Sequence, residues 1–116
     1  MTDRKVNAGL HKINIQEVQT MRKILLDFKL TRTPEQVQDY LALEFEFPDY
    51  YGRNLDALYD MLTEITEDTC VGIFESEEEW ECDSYLRRVK RVFWDAEEEN
   101  PHLAVISAKL EENYRR

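Results

Sequence analysis

A chain of 116 residues with 42% apolar and 34% charged side chains has the balance of one soluble globular domain with a heavily charged surface. The net charge of −10 works against nucleic-acid binding, and no apolar run approaches the ~20 residues of a membrane span. Cys70 and Cys82 lie outside any C-x-x-C and far in sequence from His11 and His102, which argues against zinc; they could pair, but in a reducing compartment both are expected as free thiols.

Residues 1–22 are polar, with Ile13, Ile15 and Val18 as scattered apolar points. An added edge strand and an N-terminal arm are both open readings, and the segment is expected as an extension to a domain over residues 23–116. It has no apolar h-region, so it is not expected to be a secretory signal, and a cytoplasmic location follows. Ile24-Leu25-Leu26-Asp27-Phe28-Lys29-Leu30 predicts a strand buried on both faces, as in a parallel sheet.

Thr33-Pro34-Glu35 predicts a helix start: a hydroxyl N-cap, proline at the first position and an acid in the first turn. The helix is expected to run to about Phe45, with Val37, Tyr40, Leu41 and, at its margin, Leu43 inward. Phe47-Pro48 ends it, because a residue before proline avoids helical backbone. Gly52 follows in a turn, where positive φ is expected, and Asn54 is a good N-cap for a second helix from Leu55 to about Glu67. Leu55, Leu58, Met61, Leu62 and Ile65 form its inward stripe.

Cys70–Phe74 predicts a second strand, and the run Glu75-Ser-Glu-Glu-Glu-Trp-Glu an acidic loop. Asp83 or Ser84 caps a third helix, whose stripe is Tyr85, Leu86, Val89, Val92, Phe93 and Ala96, and Asn100-Pro101 ends it. Leu103–Ala108 predicts a third buried strand. The order β-α-α-β-α-β implies an α/β domain: a small, mostly parallel three-stranded sheet flanked by helices.

Charge is spread unevenly over these elements. Residues 44–83 hold one basic side chain, Arg53, against 14 acidic ones, whereas the flanking stretches come to +2 and +1. A field of −13 speeds encounter with a basic protein, although an acidic surface also serves plain solubility. Within the second helix, Asp56, Tyr59, Asp60 and Thr63 fall outside the apolar stripe. Asp56 and Asp60, four apart, repel each other across one face. The macrodipole accommodates Asp56 in the first turn but gives Asp60 no such support. From this helix alone, a solvated face and a binding face are both open.

The third helix repeats the pattern. Asp95 and Glu99 are again four apart and off the stripe, beside Trp94, with Glu97 and Glu98 crowding the turns where the dipole disfavours negative charge. Arg91 offsets this only in part. Two such helices favour one shared acidic surface if they pack side by side. Catalysis by paired carboxylates needs burial that separates their pKa values, and neither clustered histidine nor a glycine-rich phosphate loop accompanies these acids. Glu77-Glu78-Glu79 lacks the framework of a calcium loop. No cofactor and no metal are expected.

Tyr50-Tyr51-Gly52-Arg53-Asn54-Leu55-Asp56-Ala57-Leu58-Tyr59-Asp60 closely resembles the signature of the barstar family, intracellular inhibitors of small secreted microbial ribonucleases. The likeness covers about residues 23–108 and is most specific over 48–62. In that family the aromatic loop and following helix plug the ribonuclease active site, with carboxylates standing in for substrate phosphates. The resemblance therefore assigns partner contact to Tyr50, Gly52, Asn54, Leu55 and Asp56, and then to Tyr59, Asp60 and Thr63. Asp60 would be the central phosphate mimic, and Asp95 and Glu99 the supporting acids at the rim.

There are departures. Tyr59 stands where well-known members carry Trp, Met61 where they carry Cys, Ile65 where an aromatic can reach the enzyme, and Asp95 is one methylene shorter than the usual Glu. The N-terminal extension and the acidic run 75–81 are absent from the shortest members. These bear on which partner the surface fits.

The expectation is thus a non-enzymatic, cytoplasmic inhibitor of a basic, barnase-type ribonuclease that binds neither nucleic acid nor membrane. The alternative is an interaction or immunity module of the same fold that binds a different basic protein or toxin. A carboxylate-dependent hydrolase is a third hypothesis, for which Asp60 would have to lie buried in a cleft.

Overall fold

The computed structural model describes residues 20–75 and 83–109. The expected elements appear in the expected order: β1 (Arg22–Leu26), α1 (Pro34–Phe45), α2 (Leu55–Thr63), β2 (Thr69–Glu75), α3 (Asp83–Glu99) and β3 (Leu103–Lys109). The three strands form one sheet in the order β1-β2-β3, with both pairings parallel. Its register aligns Ile24 with Val71 and Val71 with Val105. Residues 1–19 of the expected 1–22 extension, most of the acidic run (76–81) and Cys82 lie outside the described residues.

Alternation along the strands defines the core. Ile24, Leu26, Val71, Ile73, Leu103 and Val105 share one face of the sheet and are buried. Against them lie Val37, Leu41 and Phe45 of α1, Leu58 and Leu62 of α2, and Leu86, Val89, Phe93 and Ala96 of α3. Each fully buried leucine or phenylalanine contributes roughly 1.5–3 kcal/mol.

Burial on both faces does not hold for β1. It is an edge strand, and Leu25 is 56% exposed while Ile24 and Leu26 are buried. Leu25 lies across Gly72 of the central strand, where an added Cβ would come within 3.0 Å of its Cδ2. Nor does β1 continue to Leu30. Asp27 accepts a hydrogen bond from the Lys29 N–H at 3.1 Å and caps a 3-10 turn over Phe28–Leu30, which brings Phe28 into the core and leaves Leu30 exposed.

Helix α1 starts as expected, with the Thr33 hydroxyl accepting from the Gln36 N–H. The inward stripe is Val37, Leu41 and Phe45; Leu43 instead points out. Tyr40 is half-buried and its hydroxyl accepts from the Asp27 N–H at 2.8 Å, tying α1 to the end of β1. Helix α2 stops at Thr63, four residues before Glu67, as its last turn tightens: the Ile65 N–H reaches the Leu62 carbonyl and the Glu64 N–H is shared among several. Among the described residues, no helix is long and apolar enough to cross a membrane.

Candidate functional site

The loop between α1 and α2 is built on a column of aromatic rings. Phe93 of α3 contacts Phe45, Phe45 stacks on Phe47 at 5.1 Å, and Phe47 meets Tyr51 at 4.6 Å. The Tyr51 N–H donates to the Pro48 carbonyl at 2.9 Å and closes a turn. Tyr51 is thereby driven inward, 5% exposed, while Tyr50 at the turn's apex is 81% exposed. One tyrosine of the pair anchors the loop and the other stands in solvent.

Gly52 does not take positive φ. The left-handed residue is its neighbour Arg53, at φ 56°, which costs an L-residue roughly 1–2 kcal/mol. Gly52 is favoured instead by space, since a Cβ there would lie a tight 3.2 Å from that of Ala57 and 3.4 Å from the Asn54 amide. The Arg53 guanidinium pairs with Asp39 of α1. Asn54 caps α2 as expected, accepting from the Ala57 N–H at 2.7 Å, and Leu55 is half-buried against the core.

Along α2, Asp56 and Asp60 are exposed and Tyr59 is half-buried. Thr63 is half-buried too, its hydroxyl donating back to the carbonyls of Tyr59 at 2.9 Å and Asp60 at 3.1 Å. Helix α3 packs beside α2. Partial burial raises the Tyr59 phenol above its usual range, and the carboxylates of Glu99, Asp95 and Asp60 push it further in the same direction. The acids of two helices therefore converge on one phenol. Asp60, Asp95 and Glu99 are all exposed, so Asp60 is not a carboxylate buried in a cleft. Asp95 has Arg91 at 3.8 Å, a loose surface pair worth little, and no basic residue occupies the last turn of α3.

Three polar residues that hold this arrangement escape a reading of hydropathy. Asn100, 3% exposed, donates to the carbonyls of Leu62 at 2.9 Å and Ile65 at 3.0 Å, and accepts from the His102 N–H. It seals the open end of α2 from the turn after α3, fixing the two helices side by side. Glu97, read only as one of the acids crowding the last turns of α3, is 4% exposed and accepts from the Val105 N–H at 2.9 Å, occupying the free edge of β3. Gln38, 2% exposed, lies on the inward side of α1. The available signal was position: Gln38 falls three residues before Leu41 and Glu97 four after Phe93, on otherwise apolar faces.

Cys70 is a free, half-buried thiol whose pKa burial raises. Among the described residues, no group of three or more His, Cys, Asp or Glu is arranged to hold a metal ion.

The family model described as Barstar (barnase inhibitor) matches residues 21–106. The chain is also similar to the Bacillus subtilis (strain 168) protein named "Putative ribonuclease inhibitor YrdF", with 54% identity over 43 residues. That match covers 37% of this chain and 47% of the relative, so it spans about half the relative's length. The domain match takes in every strand and helix down to the middle of β3, together with the loop, the convergent acids and the residues beneath them, and the chain belongs to the barstar family.

Proposed function

We propose that this protein is a non-enzymatic inhibitor that binds a basic, barnase-type ribonuclease and occludes its active site with the surface formed by the 48–54 loop and the outer sides of α2 and α3. The observation that carries this reading is that Asp60 on α2 and Asp95 and Glu99 on α3 are all exposed on two helices packed side by side, their charges acting together on Tyr59. Among the described residues, the one ion pair that offsets these charges is the loose surface contact of Arg91 with Asp95. A partner with clustered Arg and Lys, such as an enzyme that holds RNA phosphates, supplies the missing counter-charge.

In this reading Asp60 takes the place of a substrate phosphate, Tyr59 and Tyr50 give apolar area with a polar tip, and Asp95 and Glu99 meet cations at the rim. Asp56 and Gly52 complete the contact surface, and Asn54, Leu55 and Thr63 shape it from within. The field of the 44–83 segment steers the encounter. The domain carrying the function is residues 23–116, with 1–22 an extension, and the protein acts in the cytoplasm.

Titrating the protein into a barnase-type ribonuclease at two salt concentrations, while following RNA cleavage, tests the proposal. Complete loss of activity at a 1:1 ratio, slower to develop at high salt, is the expected outcome. Undiminished cleavage at a molar excess rejects ribonuclease occlusion and directs the search to a different basic protein or toxin.

A further inference from the structure

Gln38 lies two helical turns from the end of α1, a helix that contributes none of the proposed contact residues. Yet both ends of its amide are engaged by elements that do border the site. Its Oε1 accepts from the Tyr51 hydroxyl, and its Nε2 donates to the Tyr85 hydroxyl at 2.7 Å. Tyr85 belongs to the first turns of α3 and Tyr51 ends the 48–51 turn, so one side chain ties three segments together. The next residue, Asp39, holds Arg53, and these two anchors grip the loop on either side of Gly52.

The two anchors are not equal. The Arg53–Asp39 pair is about half exposed and carries little weight. The Gln38 junction is buried on its Tyr51 side and half-buried at Tyr85, and a buried hydroxyl or amide left without its partner is disfavoured strongly enough to move. The contact with Phe47 fixes the Tyr51 ring laterally. The hydroxyl at its tip is what sets its depth and rotation. Tyr50 lies within the turn that the Tyr51 N–H closes on the Pro48 carbonyl at 2.9 Å, so a shift of Tyr51 carries Tyr50 with it.

We propose that Gln38 is a positioning residue for partner binding: clamped between Tyr51 and Tyr85, it fixes where Tyr50 stands relative to the acids of α2 and α3. This rests on the reading of Tyr50 and those acids as the contact surface. Pre-ordering the loop lowers the ordering cost of binding, so its loss is read mainly in how fast the complex falls apart.

The test compares Gln38→Leu, Tyr50→Ala and the double variant in stopped-flow association and dissociation with a barnase-type ribonuclease, alongside amide hydrogen exchange of residues 48–54 in the free protein. Gln38→Leu is expected to speed dissociation about 10-fold while association changes by less than about 3-fold, and to speed exchange in the loop. In the Tyr50→Ala background the same substitution should change dissociation by less than about 2-fold, because the residue it positions is gone. Equal effects in both backgrounds, or unchanged loop exchange, overturn the proposal.

If Gln38→Leu does not fold, Tyr85→Phe, which deletes only the hydroxyl on the Nε2 side, is expected to give the same pattern at about 3-fold, and its failure to do so is equally decisive. If the unsubstituted protein does not bind the ribonuclease, the inhibitor reading fails on its own, and loop exchange in the free variants decides the positioning role.

Discussion

The acidic surface and the layer directly beneath it treat polar groups in opposite ways. Beneath, Gln38, Asn100 and Glu97 are each almost fully buried and each holds hydrogen bonds to named partners. Above, Asp60, Asp95 and Glu99 stand in solvent, their charges acting together on Tyr59, and among the described residues only Arg91 pairs with one of them, loosely at 3.8 Å. A chain that satisfies every one of those interior groups but leaves like charges facing outward keeps its stability and its recognition in separate layers. Substitutions in the lower layer should therefore cost folding and those in the upper layer binding, with Gln38, which ties the loop to the interior, reaching into both.

The largest effect is expected at Asn100. Asn100→Ala orphans the Leu62 and Ile65 carbonyls and should lower unfolding free energy by about 2–3 kcal/mol, measured by urea denaturation. Next comes Asp60→Ala, which should weaken ribonuclease binding by about 30-fold or more while leaving the urea midpoint almost unmoved. Glu78→Ala, in the acidic run, should change binding by less than about 3-fold. Equal effects at Asp60 and Glu78 would replace a specific plug with diffuse charge and erase the contrast between layers.

Alkaline pH reaches the lower layer through Tyr51. Burial, helped by the nearby Tyr85, raises the Tyr51 phenol well above its ordinary value, against a smaller opposing pull from Arg53. Below about pH 10 the phenol is protonated in both folded and unfolded chains and its contribution to stability is complete. Above that, the unfolded chain gives up a proton that the folded chain keeps, so stability should fall by about 1.4 kcal/mol per pH unit for this one group. Urea midpoints between pH 9 and 11.5 measure the slope, which Tyr51→Phe should flatten.

The smallest effect has the most informative sign. Glu99→Gln removes a carboxylate from the end of α3 where the dipole disfavours it, and should stabilise the free protein by about 0.3–0.5 kcal/mol while weakening binding a few-fold. A variant that loses both would place Glu99 in the structural layer.

What could be read from the sequence divides along the same line. Strands and helices were legible because apolar period and capping residues announce them: Thr33 and Asn54 cap the helices they were expected to cap. So were the outward positions of Asp56, Asp60, Asp95 and Glu99, which follow from the stripes they avoid. Hydropathy assigns polar side chains to water, so Gln38, Glu97 and Asn100 were invisible as interior groups; only the finished packing supplies their partners. The end of β1 was missed because Asp27 caps a turn within an apolar run, and Leu43 because the helix stripe runs through Phe45 instead. Positive φ was expected at Gly52 on steric permissiveness, whereas Arg53 carries it and Gly52 answers a demand for space.

The parallel register has a kinetic consequence. Arg22 pairs with Thr69, and Thr69 with Leu103, so each strand must find a partner across a long stretch of chain. The helical segments can flicker into place within about a microsecond, but sheet contacts of such sequence separation close far more slowly. Until β3 docks on β2, α3 and α2 meet only through their own contacts and the Asn100 bonds, and the carboxylates they carry lack their final spacing. On refolding from urea, capacity to bind a basic partner should return with the slow sheet signal and lag behind helical ellipticity, making recognition the last property this chain acquires.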